Sequence, residues 1–279
     1  MPSSSVHALL IIAGRGVYPR LLAESARAQG VERIAAVAFK GETDRRLAAV
    51  VDDIYWLNLG RLGAVLDACR ASQIHTVVMA GQITPTHLFR LRLDAPMRAL
   101  LAALPERNAH TIFGAVCDEL RAAGLELMEA HCFMESAMPA PGPLAGPAPD
   151  ARAAADIELG LRVAKATSGL DIGQTVVVKA GTVLAVEAFE GTDATIVRAG
   201  HLGGPGSVVV KVAKQGHDMR FDIPVVGERT IRKLRRAKAA VLAVEAHRTI
   251  LLDKDKVIAA AAHYGISLLA VAFTRENGT

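Results

Sequence analysis

The chain has 279 residues, 51% of them hydrophobic, and a formal net charge of +4 at pH 7. It is long enough for one large domain or two ordinary ones and lacks the composition of a disordered protein. Aromatic residues make up 4%, which argues against a nucleic-acid surface of stacked rings. The mild positive charge suits an anionic small molecule or a transient contact with an anionic membrane surface.

The cysteine pattern and the N-terminus indicate a cytoplasmic protein. Three cysteines lie far apart with no CxxC pair, which is typical of thiols in a reducing compartment. The N-terminus has no basic region followed by a long apolar run, so we predict neither a signal peptide nor a membrane span.

A proline-rich segment divides the chain. Residues 139–149 contain five of the twelve prolines, and proline interrupts helices and central strands. We therefore predict a linker at 139–149 between an N-terminal domain, 1–138, and a C-terminal domain, 150–279.

Strands and helices alternate in the N-terminal domain, which predicts a Rossmann-like parallel sheet. The predicted strands are 7–13, 33–39, 54–57, 75–80 and 125–128, and the predicted helices are 18–29, 61–72, 96–103 and 112–123.

The sequence pattern of the C-terminal domain predicts a mixed α/β structure with some antiparallel hairpins. The predicted helices are 150–165, capped by Asp150, 192–199, capped by Thr192 or Asp193, 229–237 and 254–263. The predicted strands are 175–179, 183–188, 208–212, 220–224, 240–245, 249–252 and 266–273. Clefts between two such domains often bind ligands, so we expect the site there.

A glycine loop, Gly14 to Pro19, follows the first strand and opens a helix, a context that suits a bound phosphate. It is a poor dinucleotide fingerprint, because Pro19 occupies the third glycine position and Lys40 stands where an NAD site needs an acid. A plain tight turn and a nucleotide contact are equally good interpretations. A second loop, at Gly81, also follows a strand and is open to the same two interpretations.

Acidic residues concentrate between Glu187 and Asp222. Asp218, Arg220 and Asp222 alternate, so on a strand they would share one face. Clustered carboxylates repel one another and need cations between them, from Arg or Lys side chains or from bound Mg²⁺. A solvated surface with ion pairs explains the same pattern. The basic segment 229–238 is likewise a solvated helix face or, alternatively, a contact for anionic lipid head groups.

Several of these motifs together resemble the LpxI-type UDP-2,3-diacylglucosamine pyrophosphatases of bacterial lipid A synthesis. The residues that carry the resemblance are 12–19, 181–187, 190–193, 198–200, 211–214, 218–225 and 241–246. The match is nearly continuous in the second domain and is confined mainly to the opening motif in the first.

The resemblance implies a divalent-metal-dependent hydrolase that splits the pyrophosphate of UDP-2,3-diacylglucosamine into UMP and 2,3-diacylglucosamine 1-phosphate. Mg²⁺ is the expected metal, with Mn²⁺ as the alternative, and the family's essential aspartate falls on Asp222.

The residues expected in the site fall into three groups. The catalytic candidates are Asp222, Asp218, Lys214 and Arg220. The substrate-binding candidates are Gly14, Gly16, Tyr18, Gly81, Thr192, Arg198 and Lys211. The metal candidates are Asp222, Asp218, Glu187 and Glu190.

Two segments depart from the family pattern. At 107–110 the chain lacks the two acids that family members often carry, which puts in doubt any contact made by those acids. The departure at 215–217 either alters the metal shell or leaves it untouched. A non-catalytic sugar-nucleotide sensor is the main alternative, and a dehydrogenase is a weaker one. A lipid substrate, peripheral contact with the inner membrane and a homodimer complete the expectations, with no nucleic-acid partner.

Overall fold

A computed structural model of the chain describes residues 6–83, 92–214, 218–221 and 223–273. The chain divides into two compact units. Unit 1 comprises Met1–Met134 with Asp218–Asp222, and unit 2 comprises Glu135–His217 with Ile223–Thr279. The short acidic block Asp218–Asp222 groups with unit 1, although the sequence on both sides of it belongs to unit 2.

Unit 1 is built on a five-stranded parallel sheet with the order β3-β2-β1-β4-β5. Its strands are β1 (Ala8–Ala13), β2 (Arg33–Phe39), β3 (Asp53–Leu57), β4 (Thr76–Ala80) and β5 (Glu126–Leu127). Its helices are α1 (Tyr18–Ala28), α2 (Leu62–Ser72), α3 (Ala95–Ala103) and α4 (Ala109–Ala122), with a 3₁₀ turn at Arg45–Ala49. The nearly continuous burial of β1 and β2 explains their unbroken apolar sequences. The predicted parallel sheet is confirmed.

The strand order of unit 1 changes direction between β1 and β4, which are neighbours in the sheet but not in sequence. Open α/β sheets bind ligands outside the carboxyl ends of their strands at such a point. The loops that leave these two strands contain Gly14, Gly16 and Gly81, so the sheet brings the two predicted glycine loops to the same edge.

Unit 2 contains a six-stranded mixed sheet with the order β6-β13-β11-β9-β7-β8 and a separate pair, β10-β12. Its strands are β6 (Gly142–Ala145), β7 (Thr175–Lys179), β8 (Thr182–Val186), β9 (Val208–Lys211), β10 (Val225–Val226), β11 (Val241–Glu245), β12 (Ile250–Leu251) and β13 (Ser267–Val271). Its helices are α5 (Ala151–Gly169), α6 (Thr192–Gly203), α7 (Glu228–Ala237) and α8 (Lys254–His263), with a 3₁₀ turn at Glu135–Ala137. The mixed α/β prediction is confirmed. Of the residues described, none belong to a helix long and apolar enough to cross a membrane.

The structure corrects the assignment of 139–149 as a linker. Residues Gly142–Ala145 form β6, which pairs antiparallel with β13 at the edge of the large sheet. An edge strand tolerates Pro143, because a proline there removes no hydrogen bond to a second neighbour. A Cβ on Gly146 would lie 2.3 Å from the Ile266 carbonyl oxygen, so the end of this segment packs directly against the backbone before β13.

Candidate functional site

The two glycine loops of unit 1 are packed against each other. The Gly14 amide donates to the Ala80 carbonyl at 2.7 Å, and the Arg15 amide donates to the Gln82 carbonyl at 2.6 Å. A Cβ on Gly14 would lie 2.6 Å from the Gln82 oxygen, and one on Gly81 would lie 2.8 Å from the Arg15 oxygen. Both glycines therefore permit a close contact between the loops.

Gly16 differs from these two glycines. Its φ of +98° requires the left-handed region, yet a Cβ at this position would meet no atom within 4 Å. The helix that follows begins at Tyr18 and has no side-chain cap at its N-terminus. Backbone amides at an uncapped helix start attract anions. Of the three predicted glycines, Gly16 is the one where a Cβ would meet open space, although its backbone forms a bridge with Thr43 and Pro19 supplies no amide hydrogen to the helix start.

Tyr18 is only 3% exposed, and its hydroxyl donates to the carbonyl of Ala130. The structure thus shows a protein partner for the side chain that the sequence assigned to substrate binding. Because Ala130 follows β5, the bond joins the start of α1 to the loop at the carboxyl end of that strand.

The prediction of a strand at 220–224 is wrong, and with it the shared face of Asp218 and Arg220. Residues 219–221 form a turn, and the next strand, β10, begins only at Val225. The Arg220 amide donates to Asp218 Oδ1 at 3.1 Å, a local bond that favours a turn over an extended chain. Asp222 lies outside the described residues.

Asp218 and Arg220 form a two-bond ion pair within this turn. Arg220 Nε lies 2.8 Å from Asp218 Oδ1, and Arg220 Nη2 lies 2.5 Å from Oδ2. The Arg220 guanidinium holds the pKa of the Asp218 carboxyl below its ordinary value, and the carboxylate raises the pKa of Arg220 in turn. Arg220 Nη1 is buried without a hydrogen-bond partner among the described residues. The carboxylate therefore stays ionised and the cation retains one unused donor.

The same turn is attached to the rest of unit 1 on two sides. The Ala130 amide donates to the Met219 carbonyl at 2.6 Å. The Phe221 ring packs against α4, 5.7 Å from the ring of His110 and 5.9 Å from that of Phe113. These contacts explain why the acidic block groups with unit 1, and they place it in the same unit as the glycine loops.

The family departure at 107–110 has a structural role. Asn108 caps α4, accepting a hydrogen bond from the Thr111 amide at 2.9 Å. His110 supplies the ring that packs on Phe221. The residues that replace the usual acids thus start α4 and contact the turn. The other departure, 215–217, lies outside the described residues.

In unit 2, three predicted residues meet in one hydrogen-bonded cluster. Lys211, only 7% exposed, donates to the Thr192 hydroxyl at 2.8 Å, and that hydroxyl donates to Glu187 Oε1 at 2.9 Å. Lys211 also lies 3.3 Å from the hydroxyl of Thr175, a residue that the sequence did not single out. Glu187 Oε2 is buried with no partner in the described part of the chain.

This cluster follows from strand pairing. Thr175 and Lys211 are opposite one another on β7 and β9, and Glu187 immediately continues β8, the other neighbour of β7. Thr192 is the first residue of α6 and is preceded by the N-cap Gly191, so neither Thr192 nor Asp193 is the cap that the sequence suggested.

The remaining predicted charges of unit 2 are paired with one another or with nearby residues. Glu190 Oε1 lies 2.5 Å from Arg198 Nη2, and Lys214 Nζ lies 2.5 Å from Asp171 Oδ1. These pairs show how the clustered acids are neutralised, as the solvated-surface alternative predicted.

The described residues were tested against the expected metal shell. They contain no group of three His, Cys, Asp or Glu side chains suited to hold a metal ion. Asp218 is paired with Arg220, Glu190 with Arg198, and Glu187 Oε1 with Thr192. Asp218 groups with unit 1, whereas Glu187 and Glu190 group with unit 2. Asp222, the remaining metal candidate, lies outside the described residues.

Comparison with known proteins covers almost the entire chain. The model of the LpxI N-terminal domain matches residues 8–137, and that of the LpxI C-terminal domain matches residues 140–269. The UDP-2,3-diacylglucosamine pyrophosphatase LpxI of Caulobacter vibrioides is 33% identical over 276 residues, which span 94% of this chain and 96% of that protein.

One solved structure aligns with much of the chain but is similar to it in neither sequence nor structure. The biotin carboxylase domain of Hydrogenobacter thermophilus 2-oxoglutarate carboxylase is 14% identical, with 70% of this chain and 40% of that one covered and a TM-score of 0.24. A score this low carries no assignment of fold or function. The two domain matches and the Caulobacter relative do, and they show that the chain belongs to the LpxI family.

Proposed function

We propose that the chain is a UDP-2,3-diacylglucosamine pyrophosphatase of lipid A biosynthesis, which releases UMP and 2,3-diacylglucosamine 1-phosphate. The observation that carries the proposal is the 33% identity to the Caulobacter enzyme of that name along 94% of the chain. The structure adds support, because the acidic block and the glycine loops, distant in sequence, group in one unit.

The proposed roles follow the charges of the described residues. Gly16 and the uncapped start of α1 would receive part of the UDP moiety, with Gly14 and Gly81 keeping the loops closely packed. Arg220, held by Asp218, would face negative charge that develops on the phosphoryl oxygens. Lys211, Thr192, Lys214 and Arg198 are further donors proposed for the substrate.

Asp222 remains the proposed essential aspartate, and Mg²⁺, or Mn²⁺, the proposed metal. Asp218, Glu187 and Glu190 are the companions proposed for it. When bound, a divalent ion would polarise the pyrophosphate and help to activate water. Support for Asp222 comes from the matched family domain that contains it.

Incubation with UDP-2,3-diacylglucosamine, with Mg²⁺ or Mn²⁺ against an EDTA control, tests the activity by following UMP. We expect UMP release that EDTA abolishes and added metal restores.

Asp222→Ala should lower kcat by at least about a hundredfold, as expected for a group that stabilises the transition state, whereas Asp67→Ala, an exposed control on α2, should not. Full metal-dependent release by Asp222→Ala would remove this residue from the mechanism. Binding of the substrate without release under any metal would favour the sugar-nucleotide sensor.

A transient contact with an anionic membrane surface is proposed for the basic face of α7. Its arginines at 229 and 232 have exposed side chains, and α7 buries Ile231 and Leu234 on its other side. Sedimentation with anionic vesicles, against neutral vesicles, tests this contact, which salt should weaken. Formation of a homodimer stays a prediction that analytical ultracentrifugation can decide.

A further inference from the structure

One backbone residue joins the glycine loop to the acidic turn. The carbonyl of Ala130 accepts the Tyr18 hydroxyl, and the amide of Ala130 donates to the Met219 carbonyl at 2.6 Å. Ala130 is itself only 1% exposed. Both bonds are therefore shielded from water, and each fixes a partner that lies far away in sequence.

Tyr18 is well placed to hold this arrangement. It is 3% exposed and begins α1, an eleven-residue helix that follows the buried strand β1. Its hydroxyl thus extends from the buried first residue of a helix. Ala130, by contrast, follows the two-residue strand β5, which has few sheet hydrogen bonds of its own to set its position.

The acidic turn depends on such attachments. Its own ion pair, Asp218–Arg220, is internal to the turn and cannot place it on the rest of the unit. The Ala130–Met219 bond attaches the turn through its backbone, and the Phe221 ring packs on α4. Electrostatic interactions with α4 add to these contacts, from His110 to Asp218 and from Asp118 to Arg220. A hydrogen bond has a fixed direction, so it specifies the position of the turn more closely than ring packing does.

We propose that Tyr18 is a positioning residue: its hydroxyl orients Ala130, and Ala130 in turn holds, at Met219, the turn that carries Arg220. The inference rests on the proposed function, because it assigns the turn to the reaction. It replaces the expectation that Tyr18 contacts substrate. Small displacements of a reacting group lower rates steeply, so loss of the hydroxyl should act on turnover and not on binding.

Tyr18→Phe tests the inference, since it keeps the buried ring and removes only the hydroxyl. We expect kcat for UDP-2,3-diacylglucosamine to fall about tenfold or more, with KM changed less than about twofold, which is the response to lost positioning and not to lost binding. The matched control is Tyr55→Phe, on β3 of the same sheet, which should leave kcat and KM unchanged.

Amide hydrogen exchange gives a second readout that needs no activity. The Ala130 amide should be strongly protected in the native chain, and Tyr18→Phe should speed its exchange more than it speeds that of β1. Weak protection in the native chain would overturn the inference even if the variant folds poorly. So would a raised KM at unchanged kcat, which would return Tyr18 to substrate binding. If the native chain releases no UMP, the proposed function fails, and the exchange data alone decide the role of Tyr18.

Discussion

Lys165 Nζ lies 2.7 Å from both carboxylate oxygens of Glu245 in a buried ion pair that connects α5 to β11. The pair also fixes one peptide unit on each side of Ala213. Lys165 donates to the Ala213 carbonyl at 2.8 Å, and the Ala213 amide donates to Glu245 Oε2 at 2.7 Å. Ala213 lies between Lys211 and Lys214, so this pair determines the path of the backbone that carries both lysines.

Removing one member of this pair should destabilise the chain strongly. Glu245→Gln leaves a buried Lys165, whose pKa burial already lowers, and loss of one partner of such a pair costs about 3–5 kcal/mol. The double variant Lys165→Met/Glu245→Leu should recover part of this loss, because it removes the buried charge of Lys165; the rest of the loss remains, since Arg248, whose Nε lies 3.8 Å from Glu245 Oε1, loses its acid partner in both variants. Urea unfolding of the two variants and of the native chain measures the difference. A double variant less stable than Glu245→Gln would contradict the assignment.

Replacing each of two helical glycines with alanine should change the free energy of unfolding in opposite directions. A Cβ on Gly160 of α5 would lie 2.5 Å from Cγ2 of Val210, a buried residue on β9, whereas a Cβ on Gly114 of α4 would meet nothing within 4 Å. Gly160→Ala should therefore cost about 1–3 kcal/mol through overpacking. Gly114→Ala should stabilise by about 0.5–1 kcal/mol, because alanine restricts the unfolded chain. Thermal melts of the two variants are the measurement, and equal shifts would show that α5 is not packed closely on β9.

The ion pair within the acidic turn predicts a defined pH response. The Asp218 carboxyl, whose pKa Arg220 lowers below the ordinary 3.8, should titrate back toward that value in Arg220→Gln. In the native chain its contribution to stability is fully present above about pH 4, the ordinary range of the unfolded carboxyl, and is lost as the pH falls through the lowered pKa.

Carboxyl chemical shifts followed by NMR between pH 2 and pH 6 can measure this titration. Asp52, whose pKa is lowered by its own partner Arg27, is the internal control and should not respond to Arg220→Gln. An Asp218 titration that is the same in both proteins would show that the two side chains are not paired in solution.

Much of the fold was predictable because each element carries its own local pattern. The buried strand β2 and the helix α8 have the predicted bounds, and Asp150 caps α5 as predicted, accepting from the Ala153 amide at 2.7 Å. The strand β6 was missed, since a proline-rich segment has the composition of a linker and becomes a strand only by pairing with β13.

The candidate site likewise has residues that the sequence identified and residues that only the structure identified. The motif around Glu187, Thr192 and Lys211 was recognisable in sequence, but the contribution of Thr175 arises from strand pairing across β7 and β9 and has no local signal. Glu245 lies in a recognised motif, but Lys165, 80 residues away, is identified as its partner only by the structure. His110 is similar, since only the packing of α4 shows that it contacts Phe221.

The sequence by itself determined the α/β class, the glycine loop after β1 and the residue types of the acidic block. These features depend on hydrophobic period, turn residues and charge, which can be read from neighbouring residues in the chain. The tertiary structure decided that Asp218–Phe221 is a turn in unit 1 and that Tyr18 bonds to Ala130. The physical reason is that a segment of a few residues is too short for a hydrophobic period to fix its place. Its position is set by hydrogen bonds and packing to residues that lie distant in the chain.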